Sequence, residues 1–100
     1  MIGNSGWDEV FGDEGNDQVG VTGSEQGNDL LKGGNNDDSV FGDVGADEIW
    51  GGNGDDDLDG NEDNDVIYGH DGSDDLNGGI GIDTCDGGNG SDTFVSCELP

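Results

Sequence analysis

Positive charge is nearly missing from this sequence. Lys32 is its one basic side chain against 26 acidic residues, for a formal charge of −25. That balance excludes nucleic acid and insertion into anionic membranes as partners. A single histidine, His70, leaves zinc without a nitrogen and sulfur ligand set. Apolar residues make up 27%, and no run of them approaches the roughly 20 residues of a membrane-spanning helix. No Ser/His/Asp set, activated cysteine or open metal site is visible, so the chain is not expected to be an enzyme. So little apolar surface cannot offset chain entropy, and the like charges push the chain apart. By composition alone the chain is disordered unless cations neutralise its carboxylates. No export signal is read before Gly3. That points to a trimmed chain, a piece of a longer one, or export by a route that does not read the N-terminus.

What is abundant is glycine, 23 residues of it, and it recurs in register with aspartate. Nonapeptides run over 3–11 and 12–20, then three residues intervene (Val21-Thr22-Gly23), and the frame resumes over 24–95 for ten units in all. The sixth position is always aspartate: Asp8, Asp17, Asp29, Asp38, Asp47, Asp56, Asp65, Asp74, Asp83 and Asp92. The first is glycine except at Ser24, and the fourth is glycine except at Asn36 and Asp63, two residue types that tolerate a left-handed backbone. The eighth is apolar throughout: Val10, Val19, Leu31, Val40, Ile49, Leu58, Ile67, Leu76, Cys85 and Phe94.

This pattern dictates local structure. Glycines in the first six positions permit positive φ and close backbone approach, so that stretch is a turn. Positions seven to nine are a very short strand, with the eighth side chain inward and its neighbours outward. One inward residue per strand is too thin a core for an isolated unit, and stacking successive turns pairs the strands above and below. The expected organisation is one domain over residues 1–100, with repeats over 3–20 and 24–95, an insertion at 21–23 that bulges at a bend, and a short tail, 96–100.

The units resemble the RTX, or haemolysin-type, nonapeptide repeat Gly-Gly-x-Gly-x-Asp-x-U-x, where U is a large apolar residue; Gly51-Gly52-Asn53-Gly54-Asp55-Asp56-Asp57-Leu58-Asp59 is a clear copy. The resemblance covers residues 3–95. It implies an all-β, right-handed parallel β-roll with two repeats per turn, about five turns, dependent on calcium. It also implies that the sixth-position carboxylates ligate Ca²⁺ together with loop carbonyls, here those near Gly34, Asn36, Gly52, Gly54, Gly79, Gly81, Gly88 and Gly90. The segments Asp83–Gly88 and Cys97-Glu98 resemble the endings of many secreted members.

Calcium is a hard cation that takes six to eight oxygens, more than one loop supplies. Stacking sorts the aspartates onto two edges: Asp8, Asp29, Asp47, Asp65 and Asp83 on one, Asp17, Asp38, Asp56, Asp74 and Asp92 on the other. The gaps between loops allow up to about eight ions, which would cut the charge from −25 to about −9. The Asp8–Asp29 gap, beside the insertion, and the Asp63 loop, with an extra carboxylate, are the irregular ones. Magnesium, which demands compact octahedral geometry, is a poor rival. Folding is expected to be coupled to calcium.

Cys85 and Cys97 are expected to form a disulfide that fastens the tail over the open end of the roll, worth about 3 kcal/mol in the chain-entropy view. The alternative is two free thiols, with Cys85 a small core residue. The two outer faces differ. Phe11, Trp50 and Tyr68 line one of them, with Leu30 and Val66 beside them and Lys32 between Phe11 and Trp50. This face either meets a second copy or a flanking domain, or is a set of aromatics that support neighbouring strands. His70 is expected to point to solvent.

The leading functional expectation is an extracellular, secreted calcium-binding β-roll that folds on binding Ca²⁺ and acts as a non-enzymatic structural or self-assembly module. Association into a homo-oligomer or fibre through the aromatic face or the roll ends is expected. The alternative is the calcium-triggered C-terminal region of a larger toxin or enzyme exported by type I secretion; the short tail after the repeats argues against it. An ice-binding face would need Thr or Asn ladders at position nine, where aromatics and acids stand instead.

Overall fold

A computed structural model of the chain describes residues 2–3, 8–21 and 27–98. The Thr22-Gly23 part of the insertion, Ser24 and the last two tail residues lie outside this range.

Strands form where the repeat pattern places them: β1 (Ile2–Gly3), β2 (Glu9–Phe11), β3 (Gln18–Val21), β4 (Leu30–Gly34), β5 (Ser39–Phe41), β6 (Glu48–Asn53), β7 (Asp57–Asp59), β8 (Val66–Asp71), β9 (Asp75–Asn77), β10 (Thr84–Asp86) and β11 (Thr93–Val95). Even-numbered strands stack as β2-β4-β6-β8-β10, odd-numbered ones as β1-β3-β5-β7-β9-β11. Every pairing is parallel. The chain alternates between the two sheets and so winds a solenoid, an all-β parallel roll. About four complete turns separate β2 from β10. The insertion leaves the register intact: Val10 lies opposite Leu31 across it, just as Ile49 lies opposite Ile67 in the regular part.

The molecule is a slab 13 Å along its shortest axis, thin enough for a single layer of side chains between two sheets packed about 10 Å apart. That layer is the column of eighth-position residues. Val19, Leu31, Val40, Ile49, Leu58 and Ile67 are fully buried, and Val10, Leu76 and Cys85 nearly so. Phe94 departs from the expectation. It is 52% exposed, because β11 is the outermost strand of its sheet and β10 the outermost of the other, so no described strand covers it.

On the outer face of the even sheet, Phe11, Lys32, Trp50 and Tyr68 stand in register. The Lys32 ammonium sits 5.4 Å from the Phe11 ring centre and 4.4 Å from that of Trp50, where a ring's negative face attracts a cation. Trp50 meets Tyr68 edge-on at 6.0 Å. His70 does not point to solvent as expected. Its ring lies 5.1 Å from Trp50 and its Nε2 is buried. The residues in register with it, Gly52 and Gly34, have no side chains, and the imidazole lies beside the indole at the edge of the open space above them.

Candidate metal centre

The six-residue turns stack on two edges of the slab, and their chemistry begins with the backbone. The second position is left-handed in every repeat from 33 onward, including at Asp43 (φ 70°), Asn61 (φ 74°) and His70 (φ 75°). So is the fourth, where Asn36 (φ 76°) and Asp63 (φ 73°) adopt the conformation that Gly54 and Gly81 take elsewhere. This backbone brings each loop against the one before it. Gly54 packs on the Asn36 carbonyl, Gly52 on that of Gly34, Gly81 on that of Asp63, and Gly90 on that of Gly72. The second- and fourth-position carbonyls therefore face the adjoining turn, which is how a glycine-rich loop presents oxygens to a cation.

The sixth-position aspartates form a ladder on each edge. On one edge the amides of Asp8, Asp29, Asp47 and Asp65 donate to Oδ1 of Asp29, Asp47, Asp65 and Asp83, at 2.7–2.8 Å. On the other, Asp17, Asp38, Asp56 and Asp74 donate to Asp38, Asp56, Asp74 and Asp92 in the same way. The two groups deduced from the repeat frame are thus the two ladders. The Asp8–Asp29 rung matches the rest despite the neighbouring insertion. The Asp63 carboxylate accepts from the Gly45 amide one turn back at 2.9 Å.

In Asp38, Asp47, Asp56, Asp65, Asp74 and Asp83 the ladder uses Oδ1 and leaves Oδ2 without a partner. Oδ2 of Asp8, Asp17, Asp38, Asp47, Asp56, Asp65, Asp74 and Asp83 is buried with no hydrogen-bond partner. It lies against the first glycine of its own repeat: a Cβ on Gly51 would come within 2.6 Å of Oδ2 of Asp56, and one on Gly33 within 2.8 Å of Oδ2 of Asp38. A buried, unpaired carboxylate oxygen is costly, and these recur turn after turn.

The electrostatics follow. Burial pushes Asp47 and Asp56 up to about 7, Asp65 to about 8 and Asp74 to about 6. The amide donated to each works in the opposite direction, and neighbouring carboxylates push further up. Asp29, Asp38 and Asp83 are raised by the same desolvation. A set of buried acids with no cation beside them either keeps its protons or takes up metal. Among the described residues no three carboxylate, imidazole or thiol groups converge on one point, so carbonyls would have to supply the larger part of an all-oxygen shell. Unpaired carboxylate oxygens among loop carbonyls fit a hard cation such as calcium.

Two features escape a reading of the repeat alone. The first is a ladder at the fifth position that runs the other way. The amides of Asp37, Asp55 and Ser73 donate back to the side chains of Asn16, Asp37 and Asp55, and Ala46 and Ile82 donate to Asn28 and Asn64. The recurrence of Asn and Asp at that position was its signal. The second is Glu98, whose Oε2 accepts from the Asp83 amide at 2.8 Å, continuing the ladder past the last described repeat. The expected disulfide is present between Cys85 and Cys97.

A parallel solenoid of nonapeptides with stacked acidic loops is a calcium-binding β-roll. The chain belongs to the RTX calcium-binding nonapeptide repeat family, whose pattern matches residues 1–19, 25–49 and 50–85 in four copies. No curated protein and no solved structure matches it. The family is typically structural and typically secreted.

Proposed function

We propose that this chain is an extracellular structural module that folds when calcium binds between its loops and then assembles with other copies. The observation that carries the reading is the row of buried Oδ2 atoms without partners, on both edges of a chain with one basic side chain. The sixth-position aspartates, Asp8 to Asp92, are the charged ligands. The carbonyls near Gly34, Asn36, Gly52, Gly54, Gly79, Gly81, Gly88 and Gly90 complete the shells. Four gaps on each edge give up to about eight ions. Calcium supplies the countercharge that lets the loops approach, and the aspartates orient the turns through the amides they accept.

Assembly is supported by two surfaces. One is the face of Phe11, Leu30, Trp50, Val66 and Tyr68, which the structure leaves half-buried to partly exposed. The other is the end of the roll, where Phe94 and Val95 are 52% and 59% exposed on an outermost strand; such an edge invites pairing.

Native mass spectrometry of the full chain in calcium tests the reading. Bound calcium of several ions per chain, absent when magnesium replaces it, is expected, and a chain that binds none overturns it. Electron microscopy and sedimentation of the loaded protein are expected to show dimers or fibres that Trp50→Asp or Phe94→Asp reduces. A monomer in both the parent and the variants removes the assembly part.

A further inference from the structure

We propose that Ser96–Glu98 is a redox-held cap, in which Glu98 replaces the sixth-position aspartate of a further turn and the Cys85–Cys97 disulfide keeps it there. The inference rests on the calcium-coupled folding proposed above.

From Val95, the ninth position of the last repeat, two contacts place the tail in stations that a regular turn would fill. Gly60 donates its amide to the Asn77 carbonyl at 2.8 Å, and Gly78 donates in the same way to Val95 at 3.0 Å. Thr84 donates to the Asp65 carbonyl at 2.9 Å, and Glu98 to the Asp83 carbonyl at 3.1 Å. Asp65 donates its amide to Oδ1 of Asp83, and Asp83 donates to Oε2 of Glu98, both at 2.8 Å.

A regular repeat uses Asn77 to Thr84 to pass between the first two stations. The tail uses only Val95 to Glu98. It has no glycine loop, and Glu98 fills two roles at once. Its amide stands where a seventh-position amide would, and its side chain, longer by one methylene than aspartate, reaches back to where a sixth-position carboxylate would be. Between those stations this path is fastened covalently. The disulfide ties it to Cys85, the last fully covered residue of the core column, and Cys97 packs partly buried against that column.

In repeat solenoids the terminal unit sets how well the array holds together, since each unit is stabilised by its neighbours. Loss of the cap is therefore felt by the Asp65–Asp83 loops first. A dithiol reductant breaks the S–S bond; two electrons and two protons pass to the two sulfurs, giving two thiols, while the dithiol closes to its own disulfide. Freed of the bond, the tail no longer holds Glu98 over Asp83.

The test is a double-mutant cycle on the full chain, read as the calcium concentration at half-folding by far-UV circular dichroism and as hydrogen exchange at the Asp83 amide. Glu98→Ala with the disulfide intact is expected to raise the calcium midpoint severalfold and to speed exchange at Asp83. Glu98→Gln, which retains an acceptor oxygen, is expected to preserve slow exchange at Asp83. In the Cys85→Ala/Cys97→Ala background, or after reduction, Glu98→Ala is expected to add little, because Glu98 is no longer held. Equal effects of Glu98→Ala with and without the disulfide, or no effect in either, overturn the cap while leaving calcium-coupled folding standing. A parent chain that stays unfolded in millimolar calcium overturns both.

Discussion

The amide of Asp47 donates to Oδ1 of Asp65, one turn further along the roll, at 2.8 Å, and Oδ2 of both residues is buried without a partner. The two oxygens of one carboxylate thus differ. Its first oxygen joins successive turns, and its second accepts no hydrogen bond.

Asp65→Asn keeps an oxygen for the Asp47 amide and loses the charge. It is expected to retain the fold in excess calcium with a severalfold higher calcium midpoint in a titration followed by circular dichroism. Asp65→Ala also strands the Asp47 amide and is expected to cost a further 1–3 kcal/mol, roughly the penalty for an unsatisfied buried donor. Equal midpoints for the two variants would show that the ladder bond contributes nothing.

The raised carboxylates give the metal-free chain a definite pH dependence. Folded-state values of about 7 for Asp47 and Asp56, about 8 for Asp65 and about 6 for Asp74 lie above the ordinary 3.8. Groups raised on folding favour the folded state when protonated. Their contribution is complete below 3.8 and disappears as pH rises through the range 6 to 8. In chelator, ordered structure should therefore increase on acidification across that range. With calcium the sign reverses, since the ion requires ionised ligands: acid should raise the calcium midpoint, and adding calcium near neutral pH should release protons into a weak buffer.

Gly51 is held by contact. A methyl group there would come within 2.6 Å of Oδ2 of Asp56 and 3.0 Å of the Gly69 carbonyl. Gly51→Ala is expected to destabilise the loaded roll by about 1–3 kcal/mol, the usual cost of overpacking. Thermal unfolding in calcium measures it. An unchanged melting temperature would mean that the Asp56 carboxylate moves aside freely.

Leu58 and Phe94 hold the same repeat position and differ in cover, fully buried against 52% exposed. Leu58→Ala is expected to cost about 2–5 kcal/mol, and Phe94→Ala, measured on protein dilute enough to be monomeric, under about 0.5 kcal/mol, as for a surface substitution. If Phe94→Ala is equally costly, this end of the roll is covered in solution.

Much of this was legible in the residues. The position of Asp56, the inward Leu58 and the outward Asp57 and Asp59 follow from a nine-residue period and strand alternation, and the sorting of aspartates onto two edges follows from two repeats per turn. Local chemistry also foretold Asn36 and Asp63 in glycine positions. What the period does not carry are contacts made at its interruptions. Phe94 obeys the pattern, but among the described residues no further strand covers it. The place of His70 in its own loop leaves it free to face solvent, whereas its ring lies against Trp50 of the preceding turn and Tyr68 of its own strand. Glu98 lies outside the repeat, and only the path of the tail brings it to Asp83.

The most direct measurement is the far-UV circular dichroism of the full chain at neutral pH, first in chelator and then in millimolar calcium. The account predicts a disordered spectrum in chelator that converts to β structure when calcium is added and reverts when it is removed. A β-rich spectrum already present in chelator, unchanged by calcium, would contradict it.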